Sequence, residues 1–155
     1  MAQKGRVVDK QGKWLAFKSL LGQLGDQRLT VGIVEGEIAT YAAANEFGTD
    51  TIPSRPFMRT TIDTNAKKYA GLLGRGARAG ITGGIQATMA HLTALGLVVR
   101  SDMIRTIVGW TTPPNAPSTM AQKRGVDNPL VDTGDMQRAI TFEVRSSLGL
   151  SKGGG

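Results

Sequence analysis

Reactive chemistry in this chain would have to come from a small stock: one histidine, His91, no cysteine, and twelve acidic residues, of which Asp132 and Asp135 stand close together. Without cysteine there are no disulfides, no thiol catalysis and no Cys-ligated metal, and a single imidazole has no partner for a His-based metal site. The Asp132 and Asp135 spacing suits capping and turn formation better than general acid–base work. The run G-L-L-G-R-G at 71–76 mixes glycine with a basic residue, but no G-K-S or G-K-T follows it and it lies inside a helical pattern, so it is a weak phosphate loop. Serine and threonine are plentiful, yet none has a His or Lys partner that would make it a nucleophile. No cofactor or metal is expected, and the residues point to binding or assembly instead of turnover.

The 155 residues fit one domain. Hydrophobic residues make up 40% but aromatics only 5%, and the 21 glycines imply an aliphatic, small-residue core that is thin for a monomer. The net charge of +7 is uneven: 1–18 carries a net +4, and no acid falls between Asp63 and Asp102. That balance fits either a solvated surface or contact with a polyanion. No apolar run approaches the roughly 20 residues of a membrane span, and the start of the chain lacks a signal peptide's apolar stretch, so the chain is expected to be soluble and cytoplasmic when made.

These residues must be positioned by an α+β domain: a small antiparallel β-sheet packed with one long or kinked α-helix, plus a short N-terminal helix. The expected boundaries are a basic arm at 1–12, the domain at 13–146 and a flexible tail at 147–155. Trp14, Phe17, Leu20, Leu21 and Leu24 mark one apolar helical face, stopped by Gly25. Segments 28–35 and 37–44 read as a hairpin turning at Gly36, with Ala42, Ala43 and Ala44 closing the second strand. From Pro56 the spacing turns helical, with Ser54 as N-cap. Phe57, Ile62, Ala66, Tyr69, Leu72 and Leu73 face inward, and Arg59, Lys67 and Lys68 outward. Glycines between 74 and 84 imply either a kink or close packing against another helix. A second stripe from Ile81 through Leu92 and Val99 to Ile107 would span roughly 40 Å if unbroken, which favours a partner. His91, beside that stripe, reads as a packed or surface imidazole. The prolines of 110–118 impose a loop, 119–124 suits a helical turn, and Asp132 or Thr133 could cap a short helix. Ile140, Phe142 and Val144 alternate as a closing strand. Trp14, Phe17, Phe57 and Phe142 all fall on apolar faces, which leaves no exposed aromatics for base stacking.

Four motifs stand in order: A-A-A-N-E-F-G-T, I-P-S-R-P-F-M-R, W-T-T-P-P-N-A-P-S-T and N-P-L-V-D-T-G-D-M. Over roughly 30–145 the chain thereby resembles the head-tail joining, or tail completion, proteins of tailed bacteriophages. It departs from them in its glycine-rich helix, its extra N-terminal helix and basic arm, and the doubled Pro113-Pro114. The resemblance implies a structural virion protein, made in the host cytoplasm, that forms a ring of six or twelve copies at the neck. The ring would join the connector or stopper to the tail terminator or tail tube proteins and line the DNA passage. It further implies that Asn45, Glu46, Phe47, Gly48, Pro53, Arg55, Pro56 and Phe57 form a loop and assembly motif. Glu46 and Arg55 would form a pair that locks the loop before the helix, and Phe57 would anchor it, for partner contact or for fold stability alike. Trp110, Pro113, Pro114, Asn115 and Pro117 would form an interface loop. Lys67, Lys68, Arg75 and Arg78 would make non-specific contact with genomic DNA. The alternatives are a tail terminator or minor tail protein capping the tube, or a free non-specific DNA-binding module, which the net charge favours. A site combining Asp132, Asp135 and His91 would be needed for an enzyme.

Overall fold

The computed structural model describes residues 10–34, 36–123 and 128–146, so most of the expected basic arm and all of the expected tail lie outside the described residues. Seven elements follow in order: α1 (Lys10–Gly25), β1 (Gln27–Gly32), α2 (Gly36–Phe47), α3 (Phe57–Val108), α4 (Pro117–Gln122), α5 (Asp135–Ala139) and β2 (Thr141–Ser146). The fold is α+β, with a two-stranded antiparallel sheet packed on a long, kinked helix.

The expected hairpin at 28–44 does not form. β1 pairs instead with β2, from Gln27 opposite Ser146 to Gly32 opposite Thr141. The second half of the expected hairpin is α2, because the run A-T-Y-A-A-A is rich in the strongest helix former, and Ile38, Ala42 and Asn45 then share one buried-side face. The alternation of β1 and of 140–144 holds: Leu29, Val31, Phe142 and Val144 face inward, and Arg28, Thr30, Glu143 and Arg145 face solvent. A pair of strands is marginal alone and is held here by packing on α3, where Phe142 lies so close to Gly96 that a Cβ there would collide with its ring.

Both readings of the glycine-rich stretch are realised. Gly84 has φ 74° and ψ −174°, a region open essentially to glycine alone, and it reverses the chain so that arm 57–83 packs antiparallel against arm 85–108. Thr61 Oγ1 meets Thr106 Oγ1 at 2.8 Å, Gly76 lies against His91, and Gly80 lies against Thr88 and Leu24. The second stripe is therefore not a free rod; its Leu92, Leu95, Val99, Met103 and Ile107 are buried in the core with Phe57, Leu130, Met136 and Ile140. Gly84→Ala is expected to cost about 1–3 kcal/mol, since the added methyl meets nothing but the backbone is strained. Gly74→Ala, with open space and no positive φ, should stabilise by up to about 1 kcal/mol. Urea unfolding of the two variants checks the opposite signs.

Other expectations are corrected. Ile62, Ala66 and Leu73 are exposed, because the inward line of the first arm runs through Thr61, Tyr69, Leu72 and the small Gly76 and Gly80. In α1 only Leu20 and Leu24 of the apolar face are half-buried; Trp14, Phe17 and Leu21 are exposed, since α1 touches the hairpin only along its Leu24 side. Ser54 does not cap α3: Pro56 occupies the cap position. Pro117 and Ser118 belong to α4, where a proline fits the first turn. Neither Asp132 nor Thr133 caps α5, whose N-cap is Gly134 in the left-handed conformation.

Candidate functional site

The expected loop motif folds into a buried polar clamp at the base of the helical hairpin. Asn45, Glu46 and Arg55 are 1%, 6% and 5% exposed. Asn45 and Glu46 lie in the last turn of α2 and not at a strand end, so both side chains point toward the start of α3. The Glu46 carboxylate accepts from the Met58 backbone N–H at 2.8 Å and the Arg59 N–H at 3.1 Å, supplying the acceptors that Pro56 cannot. A negative group at the positive end of a helix dipole is favourable in its own right.

Arg55 reaches the other way. Its Nε donates to Pro113 O at 3.0 Å, its Nη2 to Pro114 O at 2.8 Å, and its Nη1 to Asn45 Oδ1 at 3.3 Å. Asn45 Nδ2 in turn donates to Tyr41 O at 3.0 Å, and the Arg55 N–H donates to Asn45 O at 2.5 Å. The two remaining lock points are Ser54 Oγ, donating to Glu46 O, and Thr49, whose N–H donates to Ile52 O. Gly48, with φ 78°, makes the turn between them. Glu46 and Arg55 thus both hold the loop, not as the expected pair but through separate partners, Glu46 by capping α3 and Arg55 by stitching the proline loop. Phe57 is fully buried beneath them.

Within the proline loop, the Thr112–Pro113 peptide is cis, Trp110 packs on the core, Pro113 and Asn115 are half-buried, and Pro114 and Pro117 are exposed. Phe47 is 71% exposed and Pro53 is also exposed, so they are the parts of the motif available to a partner. The fourth motif is built the same way: Pro129 and Leu130 are buried, while Asp135 accepts from Thr133 and Arg138. The Thr133 hydroxyl, followed by Arg138, holds the Asp135 carboxyl below its ordinary range.

A second polar cluster ties the hairpin arms together. Lys68 Nζ donates to Asp102 Oδ2 at 2.6 Å, the Tyr69 hydroxyl donates to the same oxygen at 2.9 Å, and Arg105 Nη1 lies 3.5 Å from Oδ1. Burial works to raise the Asp102 pKa, but the hydrogen bonds from Lys68 and Tyr69 and the charges of Lys68 and Arg105 outweigh it and leave it lowered. Burial, then the bond to Asp102, pushes the Tyr69 phenol up. Sequence reading missed this cluster: Lys68 was expected to face DNA and Tyr69 to be plain core, and only the chain reversal brings Asp102 beside them. Lys67, Arg75 and Arg78 are exposed.

Asp132 and Asp135 border a small pocket of about 220 Å³, but His91 sits on the second arm beside Gly76, so the three are not gathered. Among the described residues no group of three or more His, Asp or Glu is placed to hold a metal ion. A groove of about 910 Å³ over the sheet is lined by Arg28, Thr30, Glu143 and Arg145, the last two paired at 2.6 Å. Exposed aromatics do exist, contrary to expectation: Trp14 and Phe17 stack 6.0 Å apart, with Lys18 over the Trp14 ring. No protein-family model, curated protein or solved structure matches this chain.

Proposed function

We propose that this chain is a structural virion protein of a tailed bacteriophage, forming a homo-oligomeric ring at the head-tail interface that joins the connector to the tail and surrounds the DNA passage. One observation carries the reading: three of the four motifs behind the resemblance converge. N-E-F-G-T, I-P-S-R-P-F and W-T-T-P-P, spread across 45–114, meet in one clamp through Asn45, Glu46 and Arg55. The clamp holds loops rigid while leaving Phe47, Pro53 and Pro114 exposed, so docking them requires little further ordering.

The charge layout supports a DNA passage. At about 100° per residue, Lys67, Arg75 and Arg78 centre roughly 165° around the first arm from Met58 and Gly80, which face the sheet groove and α1. One side of the hairpin is therefore basic and the opposite side carries the rest of the fold, as a lumen wall requires. Such contacts are to phosphate, salt-sensitive and blind to sequence.

Replacing Lys67, Arg75 and Arg78 by glutamate is expected to leave particle assembly intact and to alter DNA retention or ejection. Lys68 is left in place because it holds Asp102. Particles of unchanged DNA content and ejection would count against a channel role. Density in images of whole particles tests the location: a ring touching only the tail tube would mean a tail terminator, and absence from particles would sink the proposal.

A further inference from the structure

The first arm of the hairpin carries a second apolar line that none of the described residues covers. Ile62, Ala66, Ala70, Leu73, Ala77 and Ile81 are all exposed and follow one another at steps of four, four, three, four and four. At about 100° per residue they fall within an arc of about 100°, centred roughly 110° from the line that faces the second arm. The second arm repeats the arrangement with exposed Ala90, Ala94, Leu97, Ser101 and Val108, centred roughly 140° from the line facing the first arm at the same 100° per residue. Each stripe is thus turned away from the other arm, and the two occupy opposite flanks of the hairpin. Isolated exposed apolar residues are ordinary on a protein surface, but the unbroken stripe of the first arm is not, and the line of the second arm is interrupted only by Ser101 and the seven-residue step to Val108.

The levels of the two stripes match over their middle, while Ile62, Ile81 and Val108 at the ends fall level with Arg105, Gln86 and Arg59. Thr61 stands level with Thr106, Gly76 with His91 and Gly80 with Thr88. On that register Ala66 is level with Ser101, Ala70 with Leu97, Leu73 with Ala94, and Ala77 with Ala90. When identical hairpins stand side by side at one height, as rotation about an axis parallel to them demands, each leucine of one flank meets an alanine of the other. Large against small at facing positions is what lets two helices interlock closely.

We infer that the flank Ile62–Ile81 of one copy packs against the flank Ala90–Val108 of the next, a head-to-tail contact between two different surfaces that closes into a ring. As the contact that closes the proposed neck ring, it rests on that reading, but its geometry concerns only one copy meeting another. The basic side of every hairpin would then face the same way.

The chain has no native cysteine, so single cysteines report the contact cleanly. The purified full chain is made as Ala77→Cys, as Ala90→Cys and as the double variant, with circular dichroism confirming the fold. Under mild oxidation the mixture of the two single variants is expected to give at least about ten times more cross-linked dimer than either alone, and the double variant a ladder of multimers. Adding Leu97→Glu should abolish the ladder while leaving the dichroism unchanged. Self-cross-linking of one single variant as strong as the mixture would mean a two-fold contact and overturn the inference. No cross-link in the mixture would also overturn it, as would co-sedimentation with vesicles of phosphatidylserine and phosphatidylcholine in place of a ladder. None of these results bears on whether the protein sits in the neck, which the particle images decide.

Discussion

Replacing Arg55 with alanine should lower the stability of the domain by about 3–5 kcal/mol, since a buried charged donor is removed from several acceptors at once. The guanidinium makes at least three hydrogen bonds while Arg55 is only 5% exposed, and two of them are the tether of the proline loop to the start of α3. Against a typical domain stability of about 5–15 kcal/mol, that loss would leave the protein close to unfolding at physiological temperature. Arg55→Lys should recover less than half of it, because one ammonium cannot span the acceptors that the planar fork reaches. Urea midpoints at constant slope give the stability, and fluorescence of Trp110 in a Trp14→Phe background reports whether the loop has come loose. A loss under about 1 kcal/mol for Arg55→Ala would show that the clamp is decoration and would remove the main support for a pre-ordered docking surface.

Asp102 carries the second large effect. Its side chain is 8% exposed and is held by Lys68, Tyr69 and Arg105 from both arms. Asp102→Ala strands the Tyr69 hydroxyl and separates the arms' only described ion pair across the hairpin, at an expected cost of about 2 kcal/mol once the solvent exposure of Lys68 is allowed for. Because the folded pKa is lowered from the ordinary 3.8, the unfolded state binds the proton more readily. The stabilisation is therefore complete above that unfolded value and is lost as pH falls through the lower folded one. Unfolding of wild type and Asp102→Asn, measured from neutral pH into acid, should show a constant difference that shrinks only in the acid range. A difference that grows as pH falls would reverse the assignment.

The proposed ring and the clamp bear on each other through rigidity. A neck component must hold its loops against a connector on one side and a tail on the other while genome passes between. The structure provides stiffness by long-range polar bonds where the aromatic core is thin: Phe57 is the one fully buried phenylalanine, and Asn45 and Thr61 are buried as completely.

Elements whose character is written in local spacing were legible in the sequence. Leu29 to Ile33 and Ile140 to Val144 announced strands by alternation, and Leu92 to Ile107 announced a buried helix face, because side-chain direction repeats with a period set by backbone geometry alone. The glycines of 74–84 announced a disruption, and Gly48 to Pro56 announced a constrained loop, although Asn45 to Phe47, read as part of the turn, end α2. What the sequence by itself left open depends on which segments meet. Alanine favours helix, but that preference is weak enough for tertiary context to override, so 37–44 was settled only by the buried partners of Ala42, Asn45 and Glu46. Ile62 and Leu73 look like core until the Gly84 reversal presents a different line of the same helix, Thr61 to Gly80, to the second arm. The pairing of Lys68 and Tyr69 with Asp102, and of Arg55 with Pro113 and Pro114, joins residues more than thirty positions apart, and hydrogen bonds over such separations exist only after the chain has closed on itself.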